Sequence, residues 1–94
     1  GTFWGVAPHM HKLGVTMRIE LIANGTSTCL VDVLRWDFNW QQMFFLANPN
    51  GVPIPPGSSF KATCVWDNPT DRAVTHGLGT ADEMCGSSIY VSTP

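Results

Sequence analysis

The sequence predicts an all-β domain, a jelly-roll-like antiparallel β-sandwich. Three observations predict it. No stretch of about 10–12 residues repeats its apolar residues at helical spacing. Several short segments instead alternate apolar with polar residues. Gly, Pro, Asn and Asp bound those segments at close intervals, as turns between short strands do.

Phe3 to Ala7 reads as the first strand. Val15 to Ala23 alternates, with Val15, Met17, Ile19 and Leu21 on one face and Thr16, Arg18 and Glu20 on the other. Asn24-Gly25-Thr26 is a hairpin signal leading into Thr28 to Leu34, and it also satisfies the N-glycosylation pattern. Trp36, Phe38 and Trp40 have the spacing of one strand face. Core packing is the expectation there, ahead of a stacking surface for a sugar or an aromatic substrate. Gln41 to Leu46 is a further strand. Asn48-Pro49-Asn50-Gly51 and Pro55-Pro56-Gly57 mark two turns. Phe60 to Trp66 alternates again, with Phe60, Ala62, Cys64 and Trp66 expected inward. Asp67 to Asp71 is a loop, and Ser88 to Ser92 closes the chain. The sum is six to eight short strands in one domain over residues 1–94, without repeats or linkers.

A 94-residue chain buries a modest core, so a disulfide or a metal would add stability. Only 13% of residues are charged, which leaves apolar surface to face another domain. The net charge is -2 and no basic cluster occurs, which argues against a nucleic-acid partner. No apolar run approaches the ~20 residues of a membrane span. The chain begins Gly1-Thr2-Phe3, without Met or leader, as a processed form or a piece of a longer protein would. Cys29, Cys64 and Cys85 leave one thiol over if two pair, and a disulfide would imply an oxidising, extracellular or periplasmic setting.

His9-Met10-His11 is the first candidate for chemistry. Side chains at i and i+2 of a strand share a face, ~6.5–7 Å apart along it, so two imidazoles can converge on one metal ion. The plainer reading makes them surface groups flanking an inward Met10. Met84, in Asp82-Glu83-Met84-Cys85, is a gap-filler in most settings, with Asp82 and Glu83 a solvated turn. As a third ligand it would make a soft site that suits copper, above all Cu(I), with a position open for water, oxygen or substrate. His76 is a third ligand, a group supporting a ligand, or a loop residue. His9, His11 and His76 could form a three-histidine zinc site, which ranks below copper because Met84 would have no role.

Several of these segments together resemble the copper type II ascorbate-dependent monooxygenases. His9-Met10-His11-Lys12-Leu13-Gly14 is similar to their His-x-His-x-Leu-Gly segment. Trp36-Asp37-Phe38-Asn39-Trp40-Gln41 resembles a segment of bacterial members. Thr75 to Cys85 resembles the Gly-Thr-x-Asp-Glu-Met-Cys signature, and Cys64-Val65-Trp66-Asp67-Asn68 resembles the family's Cys, aromatic and turn. Order and spacing agree from residue 9 to residue 85.

The resemblance is to the C-terminal, methionine-site copper domain. It implies one copper ion held by His9, His11 and Met84, with those three residues at the centre of C–H hydroxylation. It also implies a Cys64–Cys85 disulfide, ascorbate or another one-electron donor, and a second copper domain as partner. Members usually carry additional strands before His-x-His, so an N-terminal truncation and an exposed strand edge are expected here. Peptide-amidating members bind the substrate carboxylate with an Arg two residues before the first histidine, where this chain has Ala7. Their Asn and Tyr after the Met fall at Gly86 and Ser88. Peptide-carboxylate recognition is therefore not expected, and the substrate is left open. Cys29 has no partner in this scheme and is expected as a buried free thiol, with an intermolecular disulfide as the alternative. The competing function is an extracytoplasmic copper carrier with the same ligands, and behind it a metal-free interaction domain.

Overall fold

The computed structural model describes residues 1–93. Its strands are β1 (Thr2–His9), β2 (Gly14–Ala23), β3 (Thr26–Val33), β4 (Phe44–Phe45), β5 (Val52–Pro53), β6 (Ser59–Trp66) and β7 (Gly86–Ser92). They form two antiparallel sheets. In the first, β1 is central: β7 runs along one side, while β4 and β5 pair with different parts of the other. In the second, β2 lies between β3 and β6.

The sheets meet through side chains of their two central strands. Phe3 and Val6 of β1, and Met10 just beyond it, pack with Met17 and Ile19 of β2. Phe3 also meets Phe60 of β6, ring centroids 5.8 Å apart. The Asn24-Gly25 turn forms as its sequence demands. Both residues have positive φ, 53° and 74°, and Ala23 pairs directly with Thr26. Positive φ at both central positions is what a two-residue hairpin loop requires. Beyond the turn, the Ser27 hydroxyl donates to Glu20 at 2.6 Å and, with Arg18 alongside, holds that carboxyl below its ordinary range.

Several expectations fail, each for a local reason. Val15 is 40% exposed because the β2–β6 register shifts between Gly14 and Thr16, taking it off the inner face. Cys29 is free but exposed, not buried. A register shift in the β2–β3 ladder leaves Leu30 as the extra residue and sets Cys29 opposite Glu20. Directly opposed residues share a face, so the thiol sits on the outer one. On β6 only Phe60 and Cys64 are half-buried, whereas Ala62 and Trp66 are exposed, since β6 is an edge strand. Trp36, Phe38 and Trp40 do not share a strand face. Phe38–Trp40 is a 3-10 turn capped by the Asp37 carboxylate, and Trp40 is 79% exposed. Of Gln41 to Leu46, only Phe44–Phe45 pairs as a strand.

Gly14 is set by crowding. A Cβ at this position would stand 2.6 Å from Trp36 Cδ1 and 2.8 Å from Met10 Cε. Gly14→Ala is expected to lower stability by about 1–3 kcal/mol through overpacking, measured by urea denaturation. A wild-type midpoint would show that the Trp36 ring is not fixed there.

Candidate functional site

β1 delivers His9 at its last residue, and the chain runs on through Met10 and His11 into a turn that re-enters the sheets at Gly14. Met10 is fully buried in the apolar core between the two histidines. The two imidazoles come together edge to face, ring centroids 5.1 Å apart. His11 is 4% exposed, while His9 is half-buried.

Hydrogen bonds fix which nitrogen each ring offers. The His11 Nδ1 lies 2.9 Å from the Asp82 carbonyl, which can only accept, so Nδ1–H donates. His9 Nδ1 lies 2.5 Å from Gln41 Oε1. The Gln41 carboxamide donates its own N–H to the Phe38 carbonyl, which turns its oxygen toward His9, so this Nδ1 donates too. With Nδ1 donating, Nε2 is the nitrogen that each ring can offer as a lone pair. A metal-binding histidine is oriented in this way, with one nitrogen anchored and the other free to ligate. The 3-10 turn that supplies Gln41 also sets the Phe38 ring edge to face against His11, 6.0 Å away.

The turn carrying His11 is pinned by Glu83. Glu83 Oε1 accepts from the His11 backbone N–H at 3.0 Å and from the Trp66 indole N–H at 2.7 Å, and Oε2 accepts from the Leu13 N–H at 2.9 Å. Glu83 is 8% exposed, so the expectation of a solvated turn is wrong for it. The same turn is held through the His11 carbonyl, which accepts from the Trp36 indole at 3.0 Å, and the Leu13 carbonyl, which accepts from Asp67 N–H at 3.0 Å.

Met84 follows Glu83 and precedes Cys85, which is bonded to Cys64 of β6. Two residues later Gly86 pairs with His9. The Met84 backbone is thus bracketed by one residue tied to His11 and one tied to His9. Its side chain is half-buried and lines a cavity of about 420 Å³ with His76, Trp66 and Leu13. His9 lines a different cleft, of about 350 Å³, with Gln41, Gln42, Ala7 and Ser88. His76 is bridged to Glu83 through the backbone. Among the described residues no three His, Cys, Asp or Glu side chains gather as a metal cage, so the three-histidine zinc arrangement does not form. The histidine pair is assembled, and the Met84 side chain lines a separate cavity.

Comparison with known families decides what this arrangement belongs to. The family model for the copper type II ascorbate-dependent monooxygenase, C-terminal domain, matches residues 2–92. The chain belongs to that family. Comparison with curated proteins and with solved structures gives no match. The family is copper-dependent, and the donor types fit such an ion: imidazoles anchored at Nδ1 with Nε2 unbonded, and a thioether on the loop ahead of β7, are soft to borderline ligands. The family's Glu-Met-Cys run acquires a division of labour in this chain. Glu83 holds the histidine turn, Met84 faces the cavity and Cys85 ties the loop to β6.

Glu83, Gln41 and Trp66 are site residues that alternation and spacing did not single out. The sequence signal for Glu83 is its place in the Asp-Glu-Met-Cys run, which gives it no role, and a charged residue before a turn usually faces water. Glu83→Ala would strand the buried His11 N–H, which costs about 1–3 kcal/mol when unpaired, and would leave the part-buried Leu13 and Trp66 N–H groups to water at a smaller cost. It is expected to lower stability by about 2 kcal/mol, with Glu83→Gln recovering part because its oxygen replaces one acceptor. Thermal denaturation of the three proteins measures this. Equal midpoints for Glu83→Ala and wild type would show the carboxylate to be dispensable.

Proposed function

We propose that this domain binds one copper ion through His9, His11 and Met84. In this reading it serves as the oxygen-activating half of an ascorbate-dependent monooxygenase that hydroxylates a C–H bond. The observation that carries the reading is the anchoring of both imidazoles by Nδ1 beside a loop that ends in Met84. The family assignment over residues 2–92 supports it. Bound copper would supply one-electron redox chemistry with oxygen. The chain's own part is to hold two neutral imidazoles in a fixed tautomer and to offer a thioether from a stapled loop. It also shields the His11 ring from water while leaving the His9 ring half open.

The second electron and the rest of the active site would come from a partner copper domain, on the same parent protein or another chain. The Cys64–Cys85 disulfide supports an extracellular or periplasmic setting. No helix is long and apolar enough to cross a membrane among the described residues.

Copper titration followed by metal analysis should give one ion per chain, lost in His9→Ala and in His11→Ala. Met84→Ala should weaken Cu(I) binding more than Cu(II) binding, because the thioether is the soft ligand. Gln41→Ala should lower copper affinity by about tenfold, since it removes the group that orients His9. Retention of one copper ion by the His9→Ala, His11→Ala double variant would overturn the reading. Copper binding without ascorbate-dependent oxygen consumption, even with the partner domain present, would favour the carrier function.

The substrate is expected to differ from that of the peptide-amidating relatives. Ala7 and Ser88 oppose each other across the β1–β7 ladder and line the cleft beside His9, and neither can pair with a carboxylate as an Arg does. With the partner domain present, a peptide ending in glycine should not be hydroxylated. Product detected by mass spectrometry would refute this.

A further inference from the structure

We propose that the cavity beside Met84 is a binding site for a flat, apolar, non-anionic group, stacked on the indole of Trp66. The inference deepens the monooxygenase reading by giving the substrate class that would lie next to Met84. It rests on that reading only for its link to catalysis.

The cavity, about 420 Å³, has walls of Leu13, Trp66, Val74 and Met84, with Asn68, Thr75 and His76 adding polar atoms. Trp66 is 41% exposed, yet its one donor is spent on Glu83 at 2.7 Å. What the ring still offers a ligand is its π surface, on which flat groups stack well. The hydrogen bond also fixes the ring, so stacking would not require it to be ordered first. The Cys64–Cys85 bond reinforces this. Cys64 lies two residues before Trp66 and Cys85 directly follows Met84, so a covalent staple ties the cavity's aromatic wall to its thioether wall. A pocket held open in this way is preformed, as small-molecule sites usually are.

The lining also states which charge it refuses. It contains no Lys or Arg. Arg72, in the neighbouring loop, donates to the Ala81 carbonyl at 2.7 Å. The one carboxylate in the wall, Glu83, has both oxygens occupied by N–H donors of the chain itself. A carboxylate or phosphate on the ligand would meet no Lys or Arg there, only the exposed His76 imidazole, and would approach the buried Glu83 carboxylate.

The test uses the metal-free 94-residue chain and two naphthalene probes of the same shape, 2-naphthalenemethanol and 2-naphthoate, followed by ¹H–¹⁵N NMR. The neutral probe should shift the Trp66 indole N–H together with the amides of Val74, Thr75 and His76. The anion should bind about tenfold more weakly or worse. Val74→Trp should fill the cavity and abolish the shifts. Val74→Phe serves the same purpose if the larger ring unfolds the protein, as loss of spectral dispersion would reveal. Shifts centred on the exposed Trp40, or on the exposed Phe45 and Tyr90 rings that meet edge to face across β4 and β7, would overturn the proposal. So would equal affinity for the two probes, or no shift at the solubility limit of the neutral one. Copper titration of the same sample separates the two readings. Probe binding without copper binding removes the copper function and leaves the cavity assignment. Copper binding without probe binding removes the cavity assignment alone.

Discussion

One buried carboxylate organises the site. Glu83 comes from the loop ahead of β7, yet its two oxygens collect N–H groups from the turn after β1 and from the end of β6. That turn carries the chain from β1 of one sheet to β2 of the other, so a single side chain fixes the crossing between the layers where the histidines emerge. A carboxylate satisfied by three short-range donors tolerates burial that would otherwise be costly. Among the described residues no buried side-chain nitrogen or oxygen lacks a partner. The apolar cluster of Phe3, Val6, Met10, Met17 and Ile19 holds the sheets together, but it is non-directional and would not by itself fix the path of the His11–Gly14 turn.

The sulfur chemistry divides in a similar way. Cys64–Cys85 ties the loop to β6, and the backbone pairing of His9 with Gly86 ties the following strand to β1. Met84 lies between these two restraints and is free to turn only its side chain. An unbranched thioether suits that position, because it adapts to a wall without needing a partner for a polar atom.

Much of this was legible from residue order and type. The Asn24-Gly25 hairpin, the alternation of Met17, Ile19 and Leu21, and the inward Met10 between two histidines all follow from strand geometry. Family resemblance supplied the Cys64–Cys85 pair, which spacing could not have chosen among three cysteines. What strand periodicity could not foresee were the two register shifts that send Val15 and Cys29 outward. A bulge is decided by the ladder as a whole and leaves little mark on the residues it displaces. The segment Trp36 to Trp40 was misread for a related reason. Its period-two aromatics fit a strand, but Asp37 caps Asn39 locally, and a side-chain cap competes well with a sheet ladder. Glu83 was hidden because its three donors lie on backbone and indole groups far away in sequence.

The two imidazoles are held with unequal stiffness. His11 leans on a main-chain carbonyl inside a loop fastened by a disulfide and by Glu83, and it is nearly sealed from solvent. His9 leans on a glutamine side chain, which in turn rests on a short 3-10 turn at the surface. Any adjustment demanded by a change of charge at the two free ring nitrogens would therefore be absorbed almost wholly at His9. The pair amounts to one firmly seated jaw and one sprung jaw, and the spring is the Gln41 side chain.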